Sequence, residues 1–271
     1  MSENNIKNNY KIALLLPSYN RIADIINVIK NTELSDNIKF IVTANYTDDN
    51  FKKITDMFGD KIFIVDERKY GKGGMIKAYN LAFFLAKKLK FDYVALWADD
   101  IFPMKTDWHI ELNRMIDKYN FDFGIFSTDE CHKKIFGWNF FNRIPNAHFF
   151  IAKTSVLGDF FLNPSLNAYV GDYEVCIRMI KKNVKMTLIP IKINHYPTAN
   201  ETRGNNSQYY NYDINIFNLL YPEYEGVMDN VVLYGDYNSN GSFILDNNEI
   251  LNSDFYSDFF ISYIQLLESK L

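Results

Sequence analysis

Short apolar runs alternate with amphipathic stretches over the first 120 residues. Each run has the length and β-branched content of a buried strand, and in the stretches between them apolar positions recur every three or four residues, as in a helix. The predicted strands are Lys11–Leu16, Ile38–Thr43, Lys61–Val65 and Tyr93–Trp97. The predicted helices are Ile22–Lys30, capped by Asn20, then Asp49–Phe58, Met75–Leu89 and Thr106–Lys118. This alternation predicts an α/β fold with a mostly parallel sheet flanked by helices.

The pattern continues less regularly in the second half of the chain. In order, it predicts a strand over Phe121–Ser127, an irregular aromatic stretch over 129–145, a strand over Asn146–Lys153, a short helix or turn over Thr154–Phe160, a helix over Gly171–Lys182 and a strand pair over Val184–Asn194. His195 directly follows that strand pair.

A polar, Asn-rich segment over Pro197–Gln208 separates this region from the C-terminal part, and its composition is typical of a mobile loop that could cover a site. Beyond it we expect a helix over Tyr209–Leu220, a hairpin over Val231–Asp246 and a closing amphipathic helix over Ser253–Lys270. The chain therefore divides into a main domain over 1–197 and a C-terminal α+β appendage over 198–271. The segment from Asp236 imitates a calcium loop, but Asn247 stands where a bidentate Glu is needed.

Composition narrows the function classes. The 271 residues carry a net charge of −4, which argues against a nucleic-acid partner, and 48% of them are hydrophobic, enough for a substantial core. Cys131 and Cys176 have no metal-binding spacing and fit a reducing, cytoplasmic compartment. The polar N-terminus lacks the apolar core of a signal peptide, and no run of about 18 apolar residues predicts a membrane span.

Two adjacent carboxylates, Asp99 and Asp100, directly follow the predicted strand Tyr93–Trp97. In an open α/β sheet, ligands bind outside the carboxyl ends of the strands. Two neighbouring acids are both ionised only when a cation or strong donors face them. A divalent ion that carries substrate phosphates would meet this need. The alternative is that one of the two acids caps the helix predicted from Thr106.

Two strand-to-helix loops could bind the phosphates or the nucleoside of a nucleotide. Pro17–Arg21 offers a hydroxyl, an aromatic ring and a cation beside a helix N-terminus, although many such loops have a similar composition. Gly71–Gly74 has three glycines, which allow close backbone approach to a phosphate, and Lys72 or Arg68 could add charge. The glycine spacing is neither a Walker A loop nor the dinucleotide fingerprint, so a flexible turn remains the alternative.

The helix over Gly171–Lys182 carries Asp172 and Glu174 in its first turn. Acids at this position interact favourably with the helix dipole. Stabilisation of the helix N-terminus alone would therefore account for the presence of either acid. Arg178 lies four residues after Glu174, a spacing that favours an ion pair on the helix surface. His195 at a strand end could complete a metal site with aspartates, or it could be structural.

Taken in order, five motifs over about residues 10–197 resemble glycosyltransferases of the GT-A fold, closest to the glycosyltransferase family 2 group. The motifs are Leu14–Arg21 (LLLPSYNR), the glycine-rich stretch followed by Ala78–Ala82 (AYNLA), Trp97–Pro103 (WADDIFP), Phe149–Lys153 followed by Leu157–Phe160, and Gly171–Val175 with Arg178. His195 falls where the family has a downstream His.

The resemblance implies a role for each matched position. It implies that a nucleotide-sugar donor is bound by Pro17, Tyr19, Asn20, Arg21, Asn45, Lys72, Gly73, Asp99 and Asp100. Mg²⁺ or Mn²⁺ would be held by Asp99, helped by Asp100 and His195, because Trp97 stands at the first Asp of the family's Asp-x-Asp motif. Asn45 stands where the family has an Asp that contacts the base of the nucleotide, and Gly171 stands where it has a Glu. Asp172, which follows Gly171, would be the general base of the reaction.

The implied reaction is an inverting, metal-dependent sugar transfer to the hydroxyl of a glycan or other acceptor, in surface polysaccharide or glycoconjugate synthesis. One rival is a sugar nucleotidyltransferase, which would need a Gly-rich basic loop after the first strand, where this chain has Pro17–Asn20. A rival of another class is a carbohydrate-binding or scaffolding protein that has lost catalysis, an alternative that Trp97 in the acidic motif leaves open.

Overall fold

A computed structural model describes residues 10–70, 74–128, 140–141, 144–145, 147–195 and 209–224. Its strands are β1 Ile12–Ser18, β2 Ile38–Ala44, β3 Ile62–Asp66, β4 Tyr93–Leu96, β5 Ile101–Pro103, β6 Phe123–Thr128, β7 Phe140–Phe141, β8 Ile144–Pro145, β9 Phe150–Lys153 and β10 Met186–His195. Its α-helices are α1 Ile22–Asn31, α2 Asp48–Phe58, α3 Met75–Lys88, α4 Trp108–Tyr119, α5 Thr154–Leu157, α6 Gly171–Lys181 and α7 Tyr210–Leu220. Single 3₁₀ turns cover Gly59–Lys61, Glu67–Tyr70 and Pro222–Tyr224.

Eight of these strands form one sheet in the order β3-β2-β1-β4-β9-β6-β10-β5. Strands β3, β2, β1 and β4 are parallel, and so are β6 and β10. The strand β9 runs antiparallel to both of its neighbours, β4 and β6, and β5 runs antiparallel to β10. The predicted α/β class with a mostly parallel sheet is confirmed. The short strands β7 and β8 form a separate pair.

The central strand β1 is covered on every side. Residues Ile12–Leu16 are wholly buried, and β1 pairs with β2 and β4 in parallel register. The helix α3 packs on this region through a buried face that includes Ala82, Phe83 and Ala86. A parallel strand that is buried on both faces has a continuous run of apolar residues rather than an alternating pattern. For this reason β1 could be predicted from the sequence.

Trp97 extends β4 toward the acidic pair and is wholly buried. Its backbone N–H donates to the carbonyl of Leu15 at 3.0 Å, and its ring packs against Trp108 and Phe40 at centroid distances of 5.6 and 6.4 Å. Trp97 is therefore a core residue, and its side chain adds no ligand to the adjacent carboxylates.

Several local predictions differ from the structure. Asn20 does not cap α1: it adopts a left-handed conformation with φ 54°, and Arg21 holds the capping position without a side-chain cap. The predicted strand pair over Val184–Asn194 is one strand, β10. Its register against β6 shifts between Ile189 and Lys192, an irregularity that accommodates Pro190, which has no N–H to donate.

The helix after the acidic pair begins at Trp108 rather than at Thr106, with Asp107 at its capping position. Asp99 and Asp100 lie before β5 and are bonded elsewhere, so the helix-cap alternative for these two residues is wrong.

Several predictions lie outside the described residues. These are Lys72 and Gly73 in the glycine-rich loop, Cys131, most of the aromatic stretch, the loop over 197–208, the hairpin over 231–246 and the closing helix over 253–270. The predicted helix over Tyr209–Leu220 is confirmed as α7. Across the described part of the chain, no helix combines the length and the apolar character needed to cross a membrane.

Candidate active site

The carboxyl ends of β1, β2 and β4 meet at one edge of the sheet because these strands are parallel neighbours. This brings Ser18, Tyr46 and Asp99 together from three separate parts of the chain. The hydroxyls of Ser18 and Tyr46 are 2.6 Å apart, and the Ser18 hydroxyl donates to Asp99 Oδ2 at 3.2 Å. The edge thus carries the polar groups that the position of a ligand site in such sheets predicts.

Asp99 is held by an ion pair inside this cluster. Arg21 Nη1 donates to Asp99 Oδ1 at 2.6 Å, while Arg21 Nε donates to Asp24 at 2.8 Å. The Asp99 side chain is only 11% exposed. Burial raises the pKa of Asp99 to about 6, against the opposing effect of Arg21. Both oxygens of this carboxylate have protein donors, so Arg21 is the cation that faces Asp99.

Tyr46 is a member of this cluster that sequence reasoning missed. Its side chain is buried, and burial raises the pKa of its phenol to about 12, so it is a neutral donor or acceptor at ordinary pH. The neighbouring Asn45, predicted to contact the base, is half-buried, and its amide oxygen accepts no hydrogen bond from the described residues. The available signal for Tyr46 was its hydroxyl two residues beyond the end of β2.

Asp100 and His195 are brought together by the sheet. The antiparallel pairing of β5 with β10 sets His195 opposite Ile101, the residue after Asp100. His195 Nε2 lies 3.4 Å from Asp100 Oδ2, and the two side chains are 8% and 17% exposed. Two residues that are 95 positions apart in sequence therefore form one pair.

His148 connects this pair to Asp172. Its ring centroid lies 5.6 Å from that of His195, and its Nδ1 lies 3.9 Å from Asp172 Oδ2. Its side chain is 46% exposed. His148 precedes β9, and because β9 runs opposite to β4, its beginning lies at the same edge as the carboxyl end of β4. Sequence reasoning missed this histidine because the direction of β9 could not be predicted.

Asp172 lies in the first turn of α6 with its side chain 21% exposed. The N–H of Tyr173 donates to Asp172 Oδ1 at 3.0 Å, which leaves Oδ2 directed toward His148. The three positions on which the sequence prediction depends, Asp99, Asp172 and His195, thus lie along one row of side chains. We call the row of Asp99, Asp100, His195, His148 and Asp172 the acidic row.

Glu174 points away from this row, and the predicted surface ion pair with Arg178 is wrong in its location. Glu174 is wholly buried and Arg178 is 9% exposed. Arg178 Nε donates to Glu174 Oε1 at 3.1 Å, and Tyr221 donates to the same oxygen at 2.9 Å. The two remaining Arg178 nitrogens donate to the carbonyls of Leu157 and Phe161. Tyr221, 47 residues away in sequence, covers the pair, and helical spacing alone could not reveal that burial.

The loop between α5 and α6 is held from a third direction by Asn80. Its Oδ1 accepts from the N–H groups of Phe161 and Leu162 at 2.8 and 3.1 Å, and its Nδ2 donates to the carbonyl of Leu162 at 2.8 Å. Asn80 therefore positions the backbone of this loop.

The other residues predicted to bind the nucleotide-sugar are spread along the same edge of the sheet. Tyr19 is 68% exposed, Asn20 is exposed, and Pro17 is partly buried within β1. Arg68 donates to Asp66 at 2.8 Å and to Asp48 at 2.6 Å, so its charge is neutralised by carboxylates. The structure brings Arg21, Asp99, Asp100 and His195 together; Lys72 and Gly73 lie outside the described residues.

A metal ion would have two protein ligands here. Among the described residues, no group of three or more His, Cys, Asp or Glu side chains is arranged to hold a metal ion. Asp100 Oδ2 and His195 Nε2 are close enough to share one. Mg²⁺ and similar ions commonly bind proteins through one or two carboxylates plus waters and substrate phosphates. The residues present fit that mode, with Asp99 occupied by Arg21.

Solved structures of several glycosyltransferases resemble this chain. TarS from S. aureus has a TM-score of 0.52 at 14% identity, over 68% of this chain and 60% of that chain. The mannosyltransferase PcManGT from Pyrobaculum calidifontis, in complex with GDP-Man and Mn²⁺, has a TM-score of 0.56 at 13% identity, over 78% and 65%. Mannosyl-3-phosphoglycerate synthase from Rubrobacter xylanophilus has a TM-score of 0.56 at 15% identity, over 79% and 75%.

These likenesses confirm the GT-A fold that the sequence motifs predict. The chain spans less than two thirds of the length of the first two of these proteins. No protein-family model matches the sequence. No curated protein matches it either.

The raised pKa of Asp99 predicts a pH dependence of stability. Its folded pKa, about 6, exceeds the ordinary value of 3.8, so ionising it costs more in the folded state than in the unfolded state. Wild-type protein should therefore lose about 2 kcal/mol of stability relative to Asp99→Asn between pH 4.5 and pH 7.5. Urea unfolding of both proteins in EDTA measures this difference. A difference that stays flat or reverses in sign would mean that Arg21 keeps the carboxylate ionised throughout.

The buried location of Arg178 predicts a large loss of stability on its removal. Arg178→Ala leaves Glu174 buried without its cation and should cost about 3–5 kcal/mol in the free energy of unfolding. Lys52→Ala is the matched control, because Lys52 and Asp56 are also four residues apart on a helix. Lys52 Nζ lies 2.8 Å from Asp56 Oδ2, but the two side chains are 76% and 62% exposed. That control should leave the free energy of unfolding nearly unchanged, because exposed ion pairs contribute little to stability. Equal losses in denaturant titrations of the two variants would contradict the burial of the Arg178 pair.

Proposed function

We propose that this protein is a glycosyltransferase, which moves a sugar from a nucleotide-sugar donor to an acceptor hydroxyl. The observation that carries the proposal is the acidic row: a charged cluster at the carboxyl ends of parallel strands, continuous with a separate carboxylate at the start of α6. Transfer between two substrates needs these two elements side by side, one for the donor diphosphate and one for the acceptor proton. The fold, shared with glycosyltransferases, supports the assignment.

The donor would lie against the edge formed by β1, β2 and β4. Arg21 would supply positive charge near the diphosphate, and the hydroxyls of Ser18 and Tyr46 are placed to orient it. Asp100 and His195 would hold Mg²⁺ or Mn²⁺, with Asp99 fixing Arg21 beside them. When bound, such an ion would neutralise charge on the departing nucleoside diphosphate. The Mn²⁺ of the structurally similar mannosyltransferase supports a divalent ion.

The acceptor hydroxyl would lie between the donor sugar and Asp172. Oδ2 of Asp172 would take its proton as the oxygen forms the new bond to the anomeric carbon. The bond from that carbon to the diphosphate oxygen breaks at the same time, and its electron pair leaves with the nucleoside diphosphate. A single carboxylate acting from the face opposite the leaving group gives inversion at the anomeric carbon.

Other features of the proposal follow from the same arrangement. Residues 1–197 would form the donor-binding and catalytic domain, and 198–271 an appendage packed on it, which the contact between Tyr221 and Glu174 supports. Asn45 would contact the base of the donor. Synthesis of a surface polysaccharide or glycoconjugate in the cytoplasm is the setting we propose.

A binding or scaffolding role is a second candidate, and the burial of Trp97 favours it. The buried Trp97 stands where GT-A enzymes of the resembled group have the first of two carboxylates, so this chain lacks that carboxylate. Release of nucleoside diphosphate from a nucleotide-sugar by the purified protein separates the two candidates, because a scaffold would bind the donor without consuming it.

Replacing the proposed base tests the mechanism. Asp172→Asn should lower kcat by about 100-fold or more, as expected for loss of a general base, while the affinity for the donor nucleotide stays within twofold. Turnover is followed by diphosphate release and nucleotide affinity by calorimetric titration. Asp56→Asn, an exposed carboxylate on α2, is the control and should keep full activity. Unchanged turnover in the Asp172 variant would exclude that residue as the base.

A further inference from the structure

A second buried carboxylate, Asp213 on α7, binds the chain just before α6. The Asp213 side chain is wholly buried. Its Oδ1 accepts from the N–H and the side-chain amide of Asn167 at 2.9 and 3.1 Å. Its Oδ2 accepts from the N–H groups of Ala168 and Tyr169 at 2.9 and 2.8 Å. Four donors from three consecutive residues therefore converge on one carboxylate.

This arrangement stabilises a buried carboxylate through uncharged donors. Successive backbone N–H groups that point into one concavity form an anion-binding nest, and the partial charges of these groups replace the water lost on burial. The same bonds restrain the backbone, because three N–H groups can face one carboxylate only in a narrow range of conformations. The direction in which the chain leaves Tyr169 is thereby fixed by a residue of α7.

The next residue, Val170, is held in an unfavourable conformation. It adopts the left-handed region with φ 52° and ψ 9°, which is rare and strained for a β-branched residue. Such a conformation persists only when the surrounding contacts determine it. Val170 precedes the first residue of α6, and its carbonyl accepts from the N–H of Glu174 at 2.8 Å. The turn at Val170 thus sets where α6 begins and how its first turn is oriented.

Asp172 occupies that first turn, two residues after Val170. Its Oδ2 faces His148 at 3.9 Å and is not held there by a shorter bond to that ring, so its position depends on the helix that carries it. Asp213 is hydrogen-bonded to the nest, and the nest, the left-handed turn and Asp172 follow one another directly in the backbone. We propose that Asp213 is a positioning residue, which orients Asp172 toward the acceptor through residues 167–170. This inference rests on the proposed function.

The test uses Asp213→Asn in the full chain. The Asn side chain has nearly the same volume, but one of its two ends is a donor that would face the nest, so the geometry of residues 167–169 should relax. We expect kcat to fall by at least about tenfold, since small displacements of a catalytic group are costly. The affinity for the donor nucleotide, measured by calorimetric titration, should stay within twofold, because the donor edge is formed by other strands. If this variant does not fold, Asp213→Glu, which displaces the charge by one methylene, is measured in the same way.

Phe91→Leu is the matched control for loss of stability. Phe91 is buried against Phe63 and precedes β4, so it lies at the opposite edge of the sheet from Asp99. Its replacement should lower the unfolding midpoint and leave kcat of the folded protein unchanged. A fall in kcat confined to the Asp213 variant supports the positioning role.

Two results would overturn the inference: an unchanged kcat in the Asp213 variant, or a fall in kcat matched by Phe91→Leu or by an equal loss of nucleotide affinity. Asp172→Asn separates these from failure of the proposed function. If that variant retains turnover, the base assignment fails, whereas if it loses turnover and Asp213→Asn does not, only the positioning role fails.

Discussion

Strand direction is the constraint on which the candidate site depends. Parallel neighbours bring the carboxyl ends of β1, β2 and β4 to one edge, and this places Ser18, Tyr46 and Asp99 within hydrogen-bonding distance. The reversed strand β9 then brings its N-terminal end to the same edge, together with His148. Because of that reversal, His148 lies between the cluster around Asp99 and Asp100 and the first turn of α6.

The second half of the site is held by buried charge rather than by the sheet. Glu174, Arg178 and Tyr221 join α6, the loop before it and the segment after α7. Asp213 fixes the same loop through its backbone N–H groups. Each of the two buried carboxylates, Glu174 and Asp213, is paired with a cation or accepts several hydrogen bonds, as a buried ion requires. The helix and loop that carry Asp172 are thus anchored in part by Asp213 and Tyr221, which lie beyond the motif region.

The sequence was informative where local physics decides the outcome. Continuous apolar runs identified the central strands, and the adjacent acids at the end of one run identified Asp99 and Asp100 as members of the edge. The sequence was uninformative where the structure depends on contacts between segments that are far apart in the chain. The pairing of Arg21 with Asp99 reflects the meeting of two loops 78 residues apart, which their spacing in the sequence could not reveal. The burial of Glu174 likewise depends on Tyr221.

The central claim is that the edge formed by β1, β2 and β4 binds a nucleoside diphosphate and its sugar. Thermal unfolding of the purified protein with a panel of nucleotide-sugars, each with and without Mn²⁺, measures this most directly, because a ligand that binds only the folded state raises its melting temperature. We expect one donor class to raise the melting temperature, more strongly with Mn²⁺, and Arg21→Ala to abolish the shift. No shift with any donor at millimolar concentration, with or without the metal, would contradict the account.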